Sequence, residues 1–184
     1  MTQFVDGLRR PGAAAWLVLL LVAGCGGSGG PVQIASFPLD DAEGLLGVGE
    51  NVGIDAGQSV DGGGSLHVFS NGKTLVNLHE FTPGRIEGDD LILSADMKSE
   101  MLGGDTFLDL WIFTADAAPR WIRRLCKDIG RTKDWQAVEV RMPLLPGEAP
   151  QKMRTAVYLE GKGHLWIDDL RIIAVHAQDA AAQE

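Results

Sequence analysis

Between residues 32 and 175 this 184-residue chain never sustains a helical repeat; instead, short apolar runs rich in Val, Ile, Leu, Phe and Trp recur between clusters of Gly, Asp, Asn and Pro. A helix leaves apolar residues at i, i+3, i+4 and i+7 over several turns, whereas short runs punctuated by turn residues are the trace of strands. The pattern predicts strands over 32–39, 52–56, 65–69, 74–81, 91–99, 106–114, 120–126, 135–142, 152–160 and 164–175. Within them apolar and polar residues alternate. Leu91, Leu93, Ala95 and Met97 share one face, with Ser94, Asp96 and Lys98 on the other; Val138, Val140 and Met142 oppose Glu139 and Arg141; Val157 and Leu159 oppose Arg154, Tyr158 and Glu160. Such strands are buried on one side and wet on the other, as antiparallel sheets are. So many in about 150 residues predict an all-β fold, an antiparallel β-sandwich or jelly roll. Asn71-Gly72 and Gly161-Lys162-Gly163 supply the positive-φ residues of tight turns, and both are expected to close hairpins.

Ahead of the strands, Arg9 and Arg10 precede an unbroken apolar run from Ala13 to Ala23, the order of a secretory signal. A spanning helix needs ~20 apolar residues. This run is about half as long and ends in Gly24-Cys25-Gly26-Gly27, where a helix does not continue. Leu21-Val22-Ala23-Gly24-Cys25 resembles the bacterial lipobox, in which the cysteine is acylated and the signal is cut just before it. The resemblance implies a signal peptide over 1–24 and a lipidated Cys25 with a flexible Gly-rich tether over 25–31, ahead of the expected β-sandwich domain over 32–175, and contact with the bilayer through the acyl chains alone. Gly26, where an aspartate would favour inner-membrane retention, resembles the outer-membrane pattern. The expected location is therefore the cell envelope, lipid-anchored, on the outer rather than the inner membrane. The polar stretch 176–184 is expected to be a disordered tail.

The net charge is −9, and loss of Asp6, Arg9 and Arg10 with the signal leaves the remainder near −10. That balance repels phosphate backbones and excludes nucleic acid as the expected partner. With Cys25 acylated, Cys126 has no partner for a disulfide, and it reads as a buried structural thiol. The imidazoles His67, His79, His164 and His176 are scattered along the chain, and no nucleophile elbow, phosphate loop or helical His pair is present, so an enzyme is not expected.

The run TKDWQAVEV at 132–140, the strand at 153–159, and EGKGHLWIDDLRI at 160–172 resemble the closing strands of galactose-binding-like jelly rolls, the superfamily that includes many carbohydrate-binding modules. GGGSLHV at 62–68 resembles an early strand there, and 91–98 the strand that follows. The resemblance implies a non-catalytic binding module with glycan as the leading ligand class; the alternative is a structural or assembly lipoprotein that binds an envelope protein. It also implies a structural Ca²⁺ between the start of the domain and its last strand, where Asp40, Asp41, Asp168 and Asp169 stand as candidate ligands.

A sugar platform needs exposed aromatic rings against pyranose C–H faces, with polar groups nearby. If Asp109 faces water, Trp111 shares its face, and the outward set then reads Asp96, Lys98, Asp109, Trp111, Arg154, Tyr158 and Glu160, joined by Trp121, Arg123 and Arg124. The candidate ligand-binding residues are Trp111, Asp109, Tyr158, Glu160, Trp121 and Arg123. The strand at 106–114 is apolar on both sides, so Phe107, Trp111 and Phe113 compete with Leu108, Leu110 and Ile112 for the interior. Trp135 and Trp166 resemble family positions that serve packing.

Overall fold

Alternation fixes which half of each strand is buried, and those halves meet in one interior. The computed structural model describes residues 30–176 apart from 116, 128 and 132. The expected signal peptide, Cys25, the tether up to residue 29 and the tail from residue 177 lie outside the described residues. Ten strands form: β1 (Val32–Phe37), β2 (Val52–Asp55), β3 (Ser65–Asn71), β4 (Thr74–Phe81), β5 (Asp90–Glu100), β6 (Thr106–Phe113), β7 (Arg120–Leu125), β8 (Gln136–Pro143), β9 (Lys152–Leu159) and β10 (Lys162–Val175). A single 3₁₀ turn, Ile129–Arg131, is the only helical element among the described residues. The strands make two antiparallel sheets. Sheet A runs β2-β3-β10-β5-β8, with β1 also on β10, and sheet B runs β4-β9-β6-β7. They pack face to face as a jelly-roll sandwich over a core that includes Leu66, Leu93, Met97, Leu108, Leu110, Val157, Leu165 and Ile172.

Strand β10 carries two neighbours in series on one edge. Residues Lys162–Ile167 pair with β3, and Leu170–Ala174 pair with β1. A bulge between Asp168 and Arg171 separates these halves, with Asp169 at φ 50°. The extra residue shifts the alternation, so Leu165 and Ile167 before it and Leu170, Ile172 and Ala174 after it all reach the core. Asp168 ties the bulge down, its two carboxylate oxygens accepting the N–H groups of Val60 at 2.7 Å and Asp169 at 2.8 Å.

The two expected hairpins do not form. β3 lies in sheet A and β4 in sheet B, and β9 and β10 are divided in the same way, so Asn71-Gly72 and Gly161-Lys162-Gly163 turn the chain from one sheet to the other. Their local freedom is used as foreseen, with Gly72 and Gly163 both at φ 149°. The partner of the next strand is chosen by distant pairing instead. The corners are joined to each other: the Ser70 hydroxyl lies 2.7 Å from the Gly161 carbonyl and accepts the Gly72 N–H at 3.2 Å. A side chain on Gly161 has no room, because its Cβ would stand 0.9 Å from the Gly103 carbonyl oxygen.

Candidate glycan-binding face

Strand β6 resolves its ambiguity in favour of one face. Leu108, Leu110 and Ile112 are wholly buried between the sheets, which sends Phe107, Asp109, Trp111 and Phe113 to the outer face of sheet B. Register then gathers their neighbours. Trp111 lies opposite Trp121 on β7 and Arg154 on β9; Asp109 lies opposite Arg123 and Ala156; Phe107 lies opposite Tyr158. Five of the six expected ligand-binding residues (Trp111, Asp109, Tyr158, Trp121 and Arg123) thus share one surface. Glu160 stands just past the end of β9, exposed, its backbone N–H bonded to the Asp105 carbonyl at 2.9 Å.

The centre of this surface is a guanidinium among rings. Arg123 forks onto Asp109, with Nε–Oδ1 at 2.8 Å and Nη2–Oδ2 at 2.7 Å. Its Cζ lies 4.4 Å from the Tyr158 ring centroid, 5.2 Å from Trp121 and 5.5 Å from Phe107, within cation–π range. Hydrogen bonding to Asp109 raises the Arg123 pKa above its ordinary value. Asp109 itself is 0 % exposed. It is a positioning group beneath the surface, not a contact for a ligand. Trp111 and Trp121 stack with centroids 5.1 Å apart and planes 13° apart, and Trp121 keeps 48 % of its surface open to water.

A second charged group borders the rings. Glu80 of β4 accepts from Arg154 Nε at 2.8 Å and pairs with Lys152 Nζ at 3.0 Å, and hydrogen bonds from these two cations hold its carboxyl below the usual range. Both cations also approach the Phe113 ring, at 5.3 and 4.9 Å. Phe113, Lys152 and Glu80 were not among the sequence candidates. Glu80 is placed there only by its pairing with Arg154 across β4 and β9, which includes an irregular register. The whole is an open platform of rings interleaved with guanidinium groups, able to stack on an apolar face and donate hydrogen bonds at its margin.

Asp96 and Lys98, expected beside these residues, lie on β5 and so on the outer face of the other sheet. Outward alternation within one strand does not say which of two sheets the strand joins. Lys98 sits there over Trp135 and Trp166, 4.8 and 5.4 Å from their centroids. Arg124 alternates away from the platform, opposite the buried Leu108.

The described chain aligns along most of its length with solved carbohydrate-binding modules. It matches a "Family 16 Carbohydrate Binding Module-2" at TM-score 0.51 and 11% identity, over 72% of this chain and 95% of that one. It matches the CBM22-1 xylan-binding domain of Paenibacillus barcinonensis Xyn10C at TM-score 0.53 and 14% identity, over 82% and 99%. A third match, at TM-score 0.55 and 11% identity, is to the CBM22-1-GH10 modules of Clostridium thermocellum xylanase 10B complexed with xylohexaose, over 78% of this chain and 29% of that one. The fold is the jelly roll of carbohydrate-binding modules. No protein-family model matches the chain, and no curated protein matches it.

Within this jelly roll the four acidic residues expected to hold calcium are not a single donor set. Asp40 does come near Asp168, joined by Asp61 from the β2–β3 loop, and burial together with these two charges raises the Asp168 pKa. Asp41, however, accepts the Glu43 N–H at 2.8 Å, and Asp169 pairs with Arg171. Both Asp168 oxygens already accept backbone N–H groups. Among the described residues no three His, Cys, Asp or Glu side chains gather closely enough to hold a metal ion. As placed, the four residues do not fit calcium. Cys126 is buried, as expected, and burial pushes its thiol up to about 12.

Proposed function

We propose that this chain is a non-catalytic glycan-binding module, displayed in the cell envelope by acylation of Cys25 and held on the outer membrane. The observation that carries the reading is the outer face of sheet B, where Trp121, Tyr158 and Phe107 surround a fixed Arg123 and Trp111 stacks on Trp121. Rings of this kind lie against pyranose C–H faces, and the guanidinium donates to hydroxyl or carboxylate oxygens at the rim. The non-catalytic reading rests on the carboxylates of that face. Asp109 and Glu80 are both engaged in ion pairs, leaving neither as a general acid beside the rings.

A glycan array probed with the full chain and with Trp111→Ala tests this. Specific binding is expected, weakened about tenfold or more by the substitution, equivalent to about 1.4 kcal/mol. A folded protein that is silent across the array, or one whose binding ignores the substitution, overturns the reading and turns the search to an envelope protein partner.

A further inference from the structure

The outer face of sheet A brings together two imidazoles that stand far apart in the sequence. His67 on β3 and His164 on β10 are diagonal neighbours, His67 being opposite Trp166 and His164 opposite Phe69. Leu66, Val68 and Leu165 take the core side of the same strands, so both imidazoles point outward, half-buried. His67 Nε2 lies 2.9 Å from His164 Nδ1, with the ring planes 13° apart. A neutral imidazole has one N–H and one lone pair, so this contact is a single N–H···N bond, with one proton between two nitrogens.

The surroundings fix that geometry. The Trp166 ring packs 4.9 Å from His67, and Phe69 packs 4.9 Å from His164. Trp166 is itself held by its indole N–H, which donates to Asp55 at 2.9 Å. Asp55 lies beside His67, and Glu100 stands opposite His164 on β5, where it pairs with Lys133.

Two facing imidazole nitrogens 2.9 Å apart on hydrogen-bonded strands are close enough to bind one borderline divalent ion, for which neutral imidazole is a preferred ligand. We propose that His67 and His164 chelate one first-row divalent transition ion (Zn²⁺, Cu²⁺ or Ni²⁺) in place of the shared proton, with water in the remaining coordination positions. The ring that donates the N–H moves its proton to its other nitrogen, so both facing nitrogens present lone pairs and no net proton is released. Metal–nitrogen bonds of about 2.0–2.1 Å at a tetrahedral angle place the nitrogens about 3.3 Å apart, so the rings part by a few tenths of an ångström and also turn, each lone pair leaving the line to the other nitrogen to point at the ion. With two protein ligands the ion exchanges readily, unlike a four-ligand structural zinc. The site lies on the opposite sheet from the glycan platform and does not depend on it.

The test is calorimetric titration of the full chain, carrying no oligohistidine tag, with Zn²⁺, Ni²⁺ and Cu²⁺, together with the electron paramagnetic resonance spectrum of the Cu²⁺ form. One equivalent is expected to bind, with coupling to two nitrogens, and affinity is expected to fall at least tenfold in His67→Phe and in His164→Phe while His176→Ala leaves it unchanged. The Phe variants keep the ring packing; if either fails to fold, His67→Gln and His164→Gln give the same comparison. Absence of saturable binding, or binding that persists in both substituted proteins, overturns the proposal.

Discussion

Replacing Arg123 by Met removes the fork from a carboxylate that water cannot reach. Asp109 is 0 % exposed and loses two charge-assisted hydrogen bonds, at 2.8 and 2.7 Å. Breaking a buried ion pair from one side costs about 3–5 kcal/mol, because the remaining charge is left without compensation. Arg123 is 29 % exposed in its side chain, so water can enter where the guanidinium was, and the expected loss is at the low end, about 3 kcal/mol. In a domain of this size that lowers the melting temperature by roughly 9 °C. Urea unfolding followed by tryptophan fluorescence measures the loss, and the double variant Arg123→Met/Asp109→Leu isolates its origin. With both charges gone, the double variant is expected to be more stable than Arg123→Met alone, with a coupling well above the ~0.5 kcal/mol of independent sites. A single-variant loss under about 0.5 kcal/mol, or a double variant at the sum of the singles, refutes the account of Asp109 as a buried charge that depends on Arg123.

Gly161→Ala forces a Cβ into the Gly103 carbonyl and is expected to cost about 3 kcal/mol or more, read as a shift of the urea midpoint; a midpoint within error of the parent means that Gly161 does not abut the Gly103 carbonyl. His79 is 4 % exposed and burial holds its imidazole below the ordinary value. Its contribution to stability is thus present above about pH 6.5, the unfolded value, and is lost as pH falls until the folded imidazole also takes a proton. His79→Phe, which keeps the stack on Phe37, is expected to flatten that part of the urea midpoint profile between pH 7.5 and 5, and an unchanged profile refutes it. Cys126, with its thiol raised to about 12, is expected to resist alkylation at pH 8 in the native protein and to react once unfolded; equal rates in the two states mean that the thiol is open.

The strands were legible because each is half-buried and its period of two is written in side chains, as in Leu91, Leu93, Ala95 and Met97. The platform was partly legible for the same reason. Trp111, Tyr158 and Arg123 fall on outward positions of their own strands. What a single strand cannot carry is its choice of partner. Asn71-Gly72 has the backbone freedom of a hairpin turn and serves as a corner between sheets, and Asp96 and Lys98 alternate correctly yet belong to the opposite face. Likewise His67 and His164, 97 residues apart, meet only through the register of β3 on β10.

Strand β6 shows how little sequence is needed to orient such a face. Phe107, Trp111 and Phe113 are as apolar as Leu108, Leu110 and Ile112, and a shift of one residue against β9 would exchange the two sets. The one asymmetry is Asp109. In the shifted register its carboxylate would enter the core, and Arg123, anchored on β7, would have to follow or leave it unpaired, at a cost of several kcal/mol. In the observed register that carboxylate is just as buried but is forked by the guanidinium opposite it. The same ion pair that selects the register therefore sets Arg123 among the rings. Fold specificity and the geometry of the candidate binding face rest on one interaction, so a neutral Asp109 variant would disturb the platform even where it spared overall stability.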